Sequence, residues 1–182
     1  FLAGFNLTCV AGPGKLAFLE SKNTDSISQI FTERILKKFK YSFKRHSFID
    51  RGSDERQYSW PGNDLDFISL MYSKYSEYKE YHTSKDNLSF ISPKNFKRIF
   101  KIYLSIINQI NKSYFPKTLT FCEPRMDKII DYNKNFKFIR DVLSFLTYCD
   151  GKKDLIFISH KIKCTKAYTK KIFNFCIKKR LI

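Results

Sequence analysis

No apolar run in the chain approaches the roughly 20 residues a helix needs to cross a bilayer, and no basic, apolar, small-residue succession opens it as a signal peptide would. The expectation is therefore a cytoplasmic protein with no membrane partner. Close cysteine pairs are lacking: Cys9, Cys122, Cys149, Cys164 and Cys176 are odd in number and widely spaced. Neither a disulfide framework nor a zinc ribbon is indicated, and the five thiols read as reduced, half-buried core residues. Acid is in deficit, with 17 Asp and Glu against 34 Lys and Arg and a formal charge of +17. Such an excess ordinarily points to a polyanionic partner. Here the lysines are spread along the chain and accompany abundant Phe, Tyr, Ile and Asn, as in AT-rich coding, so the charge is read chiefly as compositional.

What is present is enough apolar material for a proper core in 182 residues, which as a prior means one or two domains. Phe1 to Val10 reads as a strand that would lie inside a sheet, and the chain is taken as a fragment. Phe5 to Val10 has strand composition, and Ala11-Gly12-Pro13-Gly14 stops it. From Asp25 the apolar residues Ile27, Ile30, Phe31 and Ile35 recur at helical spacing, predicting an amphipathic helix to about Lys38 with Asn23, Thr24 and Asp25 as capping side chains. Ser47-Phe48-Ile49-Asp50 and Phe67 to Met71 are expected as short strands. Strand, helix, strand order argues for an α/β sheet. Ser92 then caps a long helix with Pro93 at its first position, whose apolar face is expected to carry Phe96, Ile99, Phe100, Tyr103, Ile107 and Ile110.

This reading divides the chain into an α/β domain over 1–112, a linker over 113–135 with Pro116 and Pro124, and a small helical domain over 136–182. Helices are expected over 136–149, stopped by Asp150-Gly151, then over 154–162 and 165–178. Three short helices with tight turns suit a helix-turn-helix or winged-helix unit.

The chemistry-bearing stretch is Arg51 to Ile91. It places acids, an imidazole and an aromatic in two polar loops flanking a hydrophobic strand, and loops at the carboxyl ends of strands are where α/β sheets assemble sites. His82 is followed by Thr83 and, four residues on, by Asp86, a carboxylate that could orient the histidine or its loop. From spacing alone, a lone histidine is more often a loop or core residue than a ligand, and Asp54-Glu55 more often a solvated turn than a site.

Ser53-Asp54-Glu55-Arg56-Gln57-Tyr58, then Met71-Tyr72-Ser73-Lys74-Tyr75-Ser76-Glu77-Tyr78, then Glu80-Tyr81-His82-Thr83-Ser84-Lys85-Asp86-Asn87-Leu88 together resemble a bacterial aminopeptidase-like family. It belongs to the zinc exopeptidase clan that also holds bacterial leucyl aminopeptidases and glutaminyl cyclases. Gly4 to Val10, Glu123-Pro124 and Tyr148 to Gly151 extend the resemblance toward both ends, although Lys22 stands where the family has glycine.

The resemblance implies the C-terminal portion of a zinc-exopeptidase-type mixed sheet with flanking helices, followed by a winged-helix domain. It implies a hydrolase that cleaves an amide or N-terminal peptide bond with metal-activated water. His82 would be the last zinc ligand, beside the acid Asp54. Glu55, which stands where many clan members have histidine, would join Asp54 as a catalytic residue. Arg56 and Tyr58 would line the substrate end and Asp86 would support His82 from behind. The remaining zinc ligands and the general base are expected upstream of Phe1. A peptide or small amide is the expected partner, with homo-oligomerisation open. The alternatives are a non-catalytic protein keeping the fold, or nucleic-acid binding through Lys166, Lys170, Lys171, Lys178 and Lys179, whose phosphate contacts would be salt-sensitive.

Overall fold

A computed structural model of the chain describes residues 2–130 and 132–182, with the side chains of 132–135 left aside. The expected strand start at Phe1 and the linker residue Asp131 lie outside the described residues. The fold is mixed α/β, with four strands and six α-helices among the described residues, in two compact units, Phe1–Asn111 and Lys112–Ile182. No helix among the described residues is long and apolar enough to cross a membrane.

The first unit is built on a sheet of β1 (Gly4–Asn6), β2 (Leu16–Leu19), β3 (Lys44–His46) and β4 (Phe67–Tyr72) in the order β1-β4-β2-β3. β1 runs parallel to β4 and β3 parallel to β2, while β2 and β4 are antiparallel. Side chains alternate between the two faces of a strand. Asn6, Ser69 and Leu19 lie in register, as do Phe5 and Ile68, so the first set and the second set occupy opposite faces.

Helices α1 (Ile27–Lys38) and α3 (Pro93–Asn111) pack on the face of Phe5, Ile68 and Leu70. Ser26, rather than the residues before it, caps α1: its hydroxyl accepts the Gln29 amide at 3.3 Å. Ser92 caps α3 in the same way, accepting from Asn95 at 3.3 Å. On α3 the buried residues are Ile99, Ile102, Tyr103, Ile106 and Ile110, whereas Phe96, Phe100 and Ile107 are exposed. The buried stripe is thus rotated from the one expected. This helix is apolar over a wide arc, and the sheet selects which part of it is covered.

Two further expectations are corrected: the strand expected over Phe5 to Val10 is confined to Gly4–Asn6, and the one expected over Ser47 to Asp50 is displaced. Residues Phe48–Asp50 form a single 3-10 turn, with the Ser47 hydroxyl accepting from the Ile49 amide at 3.3 Å, and the strand lies just before it at Lys44–His46. An edge strand of charged residues buries little, so it leaves no apolar alternation to read. Central β2 also escaped the sequence pattern. All four of its residues are buried, so both faces are apolar and no period-2 signal remains.

The second unit contains α4 (Tyr132–Thr147), α5 (Leu155–Lys161) and α6 (Lys166–Lys178) around a core of Ile139, Val142, Phe145, Leu146, Ile158, Ile172, Phe173 and Cys176. Asp154 and Thr165 cap α5 and α6 through side-chain oxygens. Much of segment 113–130 is tied into this unit. Thr118 and Leu119 donate to the carbonyls of Cys149 and Leu181, each at 2.9 Å, Gly151 donates to Pro116 at 2.9 Å, and Met126 is in the core. Among the described residues of this unit the only strand-like pairing is the isolated antiparallel bridge between Lys117 and Asp150.

Candidate functional site

The sheet face opposite α1 and α3 is covered by loops, and a buried carboxylate organises them. Glu55 opens the short helix α2 (Glu55–Tyr58) and is fully buried. Its Oε1 accepts the backbone amides of Gly52 and Ser53, both at 3.0 Å, and the Tyr75 hydroxyl at 2.8 Å. Its Oε2 accepts from Asn6 Nδ2 at 2.5 Å and Ser69 Oγ at 3.2 Å. Asn6 and Ser69 are register partners on β1 and β4, which is why two strand residues reach one oxygen. Burial alone would raise the Glu55 pKa. The Ser53 and Gly52 amides and the Tyr75 hydroxyl outweigh it and hold the carboxyl below its ordinary value, so Glu55 is ionised.

From Tyr75 a run of aromatics leads to His82. Tyr75 is buried beside Ala17, Leu19 and Met71, and its hydroxyl pKa is pushed far up, by burial first and then by the Glu55 carboxylate it donates to. The Tyr81 ring lies 6.3 Å from that of Tyr75 and stacks on the His82 imidazole at 4.0 Å and 19°. Tyr78 meets Tyr81 edge to face at 5.6 Å, stacks on Phe90 at 5.0 Å, contacts Cys9 Sγ at 3.5 Å and donates to Asp86 Oδ2 at 3.2 Å. His82 itself is exposed and sits at φ +57°, a left-handed conformation that costs a side-chain-bearing residue some strain.

Residues 1–113 match a protein family described as a domain of unknown function (DUF4910). The chain belongs to this family. It is also 32% identical over 169 residues to a Clostridium acetobutylicum protein provisionally named as a polysaccharide biosynthesis protein with an aminopeptidase-like domain, a match covering 87% of this chain and 38% of that protein. A crystal structure of a Clostridium acetobutylicum protein, provisionally described as a peptidase, is similar at a TM-score of 0.61 and 30% identity over 100% of this chain and 41% of that one. The chain spans well under half the length of these relatives.

In this DUF4910 domain, Asp54 is exposed and makes no capping hydrogen bond at α2. Arg56 is exposed on α2 and faces an open depression with Arg51 and Trp60. The Tyr58 ring stacks on Phe67 at 4.4 Å and 13°. Asp86 accepts from Tyr78 and so reaches the His82 neighbourhood through the tyrosine cluster, not through the imidazole. Among the described residues, no three His, Cys, Asp or Glu side chains come together as a metal-binding group. A zinc site needs about four ligands, so the described residues do not by themselves fit the ion.

Asn6, Ser69, Tyr75, Tyr78 and Tyr81 were absent from the expected site. A signal for the tyrosines exists in the threefold spacing of Tyr72, Tyr75, Tyr78 and Tyr81, whereas nothing local marks Asn6 or Ser69, which matter only through strand register.

Proposed function

We propose that this DUF4910 domain is part of an aminopeptidase-like, zinc-dependent hydrolase that cleaves an amide or N-terminal peptide bond with metal-activated water. His82 offers one donor, and the remaining ligands belong to other segments of the longer protein. The observation that carries the reading is the saturated Glu55 carboxylate, joined through Tyr75 and Tyr81 to an exposed histidine. A buried charge held by five donors is a costly arrangement that fixes the geometry of two loops at once. The provisional peptidase and aminopeptidase-like names of the similar proteins support the same direction.

Within this reading the roles divide by exposure. Glu55 is a positioning residue, because neither of its oxygens is left for a substrate proton. It sets α2 so that Asp54 and Arg56 face solvent. Asp54 is the carboxylate open to a bound substrate, and Asp86 with Tyr78 steadies the His82 loop. The second unit is a winged-helix-like docking module, supported by its three helices in succession, two of them capped by side chains.

The test uses the full-length protein. Metal content is measured after dialysis, and hydrolysis of aminoacyl p-nitroanilides and dipeptides is followed with and without His82→Ala. The expected result is bound zinc and amide hydrolysis, both reduced in the variant. Zinc content unaffected by His82→Ala removes His82 from the site, and absence of amide hydrolysis by the zinc-loaded protein overturns the hydrolase reading.

A further inference from the structure

The first unit carries an open depression lined by Ile49, Arg51, Arg56, Gln57 and Trp60, with no acidic side chain in its lining. Its composition departs from that of the chain, which has 26 lysines against eight arginines and a single tryptophan. Three of the five arginines in this unit are engaged elsewhere: Arg45 pairs with Glu20 and Glu33, Arg98 lies over the Tyr41 ring at 4.5 Å, and Arg34 lies over the Phe31 ring at 4.8 Å. Arg51 and Arg56 face the depression instead. The Arg56 guanidinium has no hydrogen-bond or ion-pair partner among the described residues.

The Arg51 side chain and the backbone that carries the rest of the lining are fixed before any ligand arrives. The Arg51 guanidinium lies over the Phe48 ring at 4.8 Å and donates to the Phe48 carbonyl at 3.5 Å. Arg56 and Gln57 ride on α2, which Glu55 fixes at its base. Trp60 follows in a turn closed by the Asn63 and Asp64 amides, which donate to the Trp60 carbonyl at 2.9 and 2.7 Å, while Asn63 Nδ2 donates to the Gln57 carbonyl at 3.2 Å. The indole is nevertheless 62% exposed. An indole fixed in a closed turn and left in water is a ready platform for a flat or ring-shaped group. Two guanidinium forks beside it match the planar oxygens of a carboxylate or phosphate, which lysine does not match bidentately.

We infer that the Arg51, Arg56 and Trp60 depression is the subsite that receives an oxyanion of the substrate, with an apolar or ring group of the same molecule lying on the indole. The inference rests on the hydrolase reading and narrows it to peptides or amides that carry a free carboxylate or phosphate. The depression adjoins the candidate site, since Arg56 follows Glu55 on α2 and the Glu55 carboxylate accepts the Tyr75 hydroxyl at 2.8 Å.

Trp60 is the one tryptophan of the chain, so its emission reads the depression without any turnover. The full chain is titrated with acetyl-alanyl-alanine as the free acid, with its C-terminal amide, and with glucose 1-phosphate. A saturable change with the free acid or the sugar phosphate, and none with the amide, is expected, and the two anion arms show which oxyanion is preferred. Arg51→Gln and Arg56→Gln should each weaken binding about tenfold, with Arg56→Lys restoring only part of it. Unchanged urea midpoints confirm that the variants fold. Equal responses to acid and amide, no saturable response to either anion, or full binding by both glutamine variants overturns the inference. Such a failure leaves hydrolysis of neutral amides by the full-length protein standing, and loss of the hydrolase activity leaves saturable anion binding standing, so the two results are separable.

Discussion

The Tyr75 hydroxyl donates to Glu55 Oε1 at 2.8 Å, tying the turn after β4 to the loop that enters α2. Glu55→Gln keeps the shape but replaces one acceptor oxygen with an NH2 facing donors. It should lower the stability of the first unit by about 3 kcal/mol, as expected when a buried charge network is broken. Tyr75→Phe leaves the ring packed and removes one charge-assisted bond, at a cost of about 1.5 kcal/mol. Urea denaturation monitored by Trp60 emission measures both, and a double variant costing the full sum would show that the two groups act independently.

The depressed Glu55 pKa fixes the sign of an acid effect. The unfolded chain takes up this proton first, near the ordinary value of 4.5. Stability contributed by Glu55 is therefore fully present above that pH and is lost as pH falls through the lower folded value. The wild-type urea midpoint should drop on acidification through that window. The difference between wild type and Glu55→Gln should shrink there, and a constant difference across the window would show that the carboxylate is not the source.

His82 is exposed and touches the fold chiefly through Tyr81, so His82→Ala should change the stability of this chain by no more than about 0.5 kcal/mol. His82→Gly should be at least as stable as His82→Ala, because glycine adopts φ +57° without strain. Loss of function in either variant of the full-length protein would then be chemical rather than structural. A large fall in the thermal midpoint would contradict this.

Burial pushes the Cys149 and Cys176 thiols up to about 12, with Cys176 adding to the effect on Cys149, so both are protonated at neutral pH. Cys122 is exposed. A thiol reagent such as dithionitrobenzoate should label Cys122 rapidly in the native protein, and Cys149 and Cys176 only once urea is added, as peptide mapping would show. Rapid native labelling of Cys176 would mean that the core of the second unit opens readily.

Tyr103 on α3 receives the Leu70 amide at 3.0 Å, and its hydroxyl lies 3.2 Å from the Asn6 carbonyl, bridging a helix to two strands from a nearly buried position. Tyr103→Phe leaves the Leu70 amide without this acceptor and should cost about 2 kcal/mol. Hydrogen exchange at Leu70 should accelerate in the variant, and an unchanged rate would locate another acceptor for that amide.

The sequence by itself determined the elements whose signals are local. Periodicity places α1, and caps with periodicity place α3, α5 and α6, because a serine, threonine or aspartate before an apolar repeat fixes a helix start within a few residues. Strand β4 was legible from its composition, and the Asp54 to Tyr58 and Glu80 to Leu88 strings marked the region of the candidate site. Tertiary structure alone decided the rest. It chose Ile102 and Ile106 over Phe100 and Ile107 on α3, made β2 a central strand, and turned Phe48 to Asp50 away from the sheet. It also made Glu55 the buried centre and Asp54 the exposed neighbour, although the two acids stand side by side in the chain. The physical reason is that Glu55 is defined by donors from positions 6, 52, 53, 69 and 75, and only strand register and loop packing bring those groups to one carboxylate.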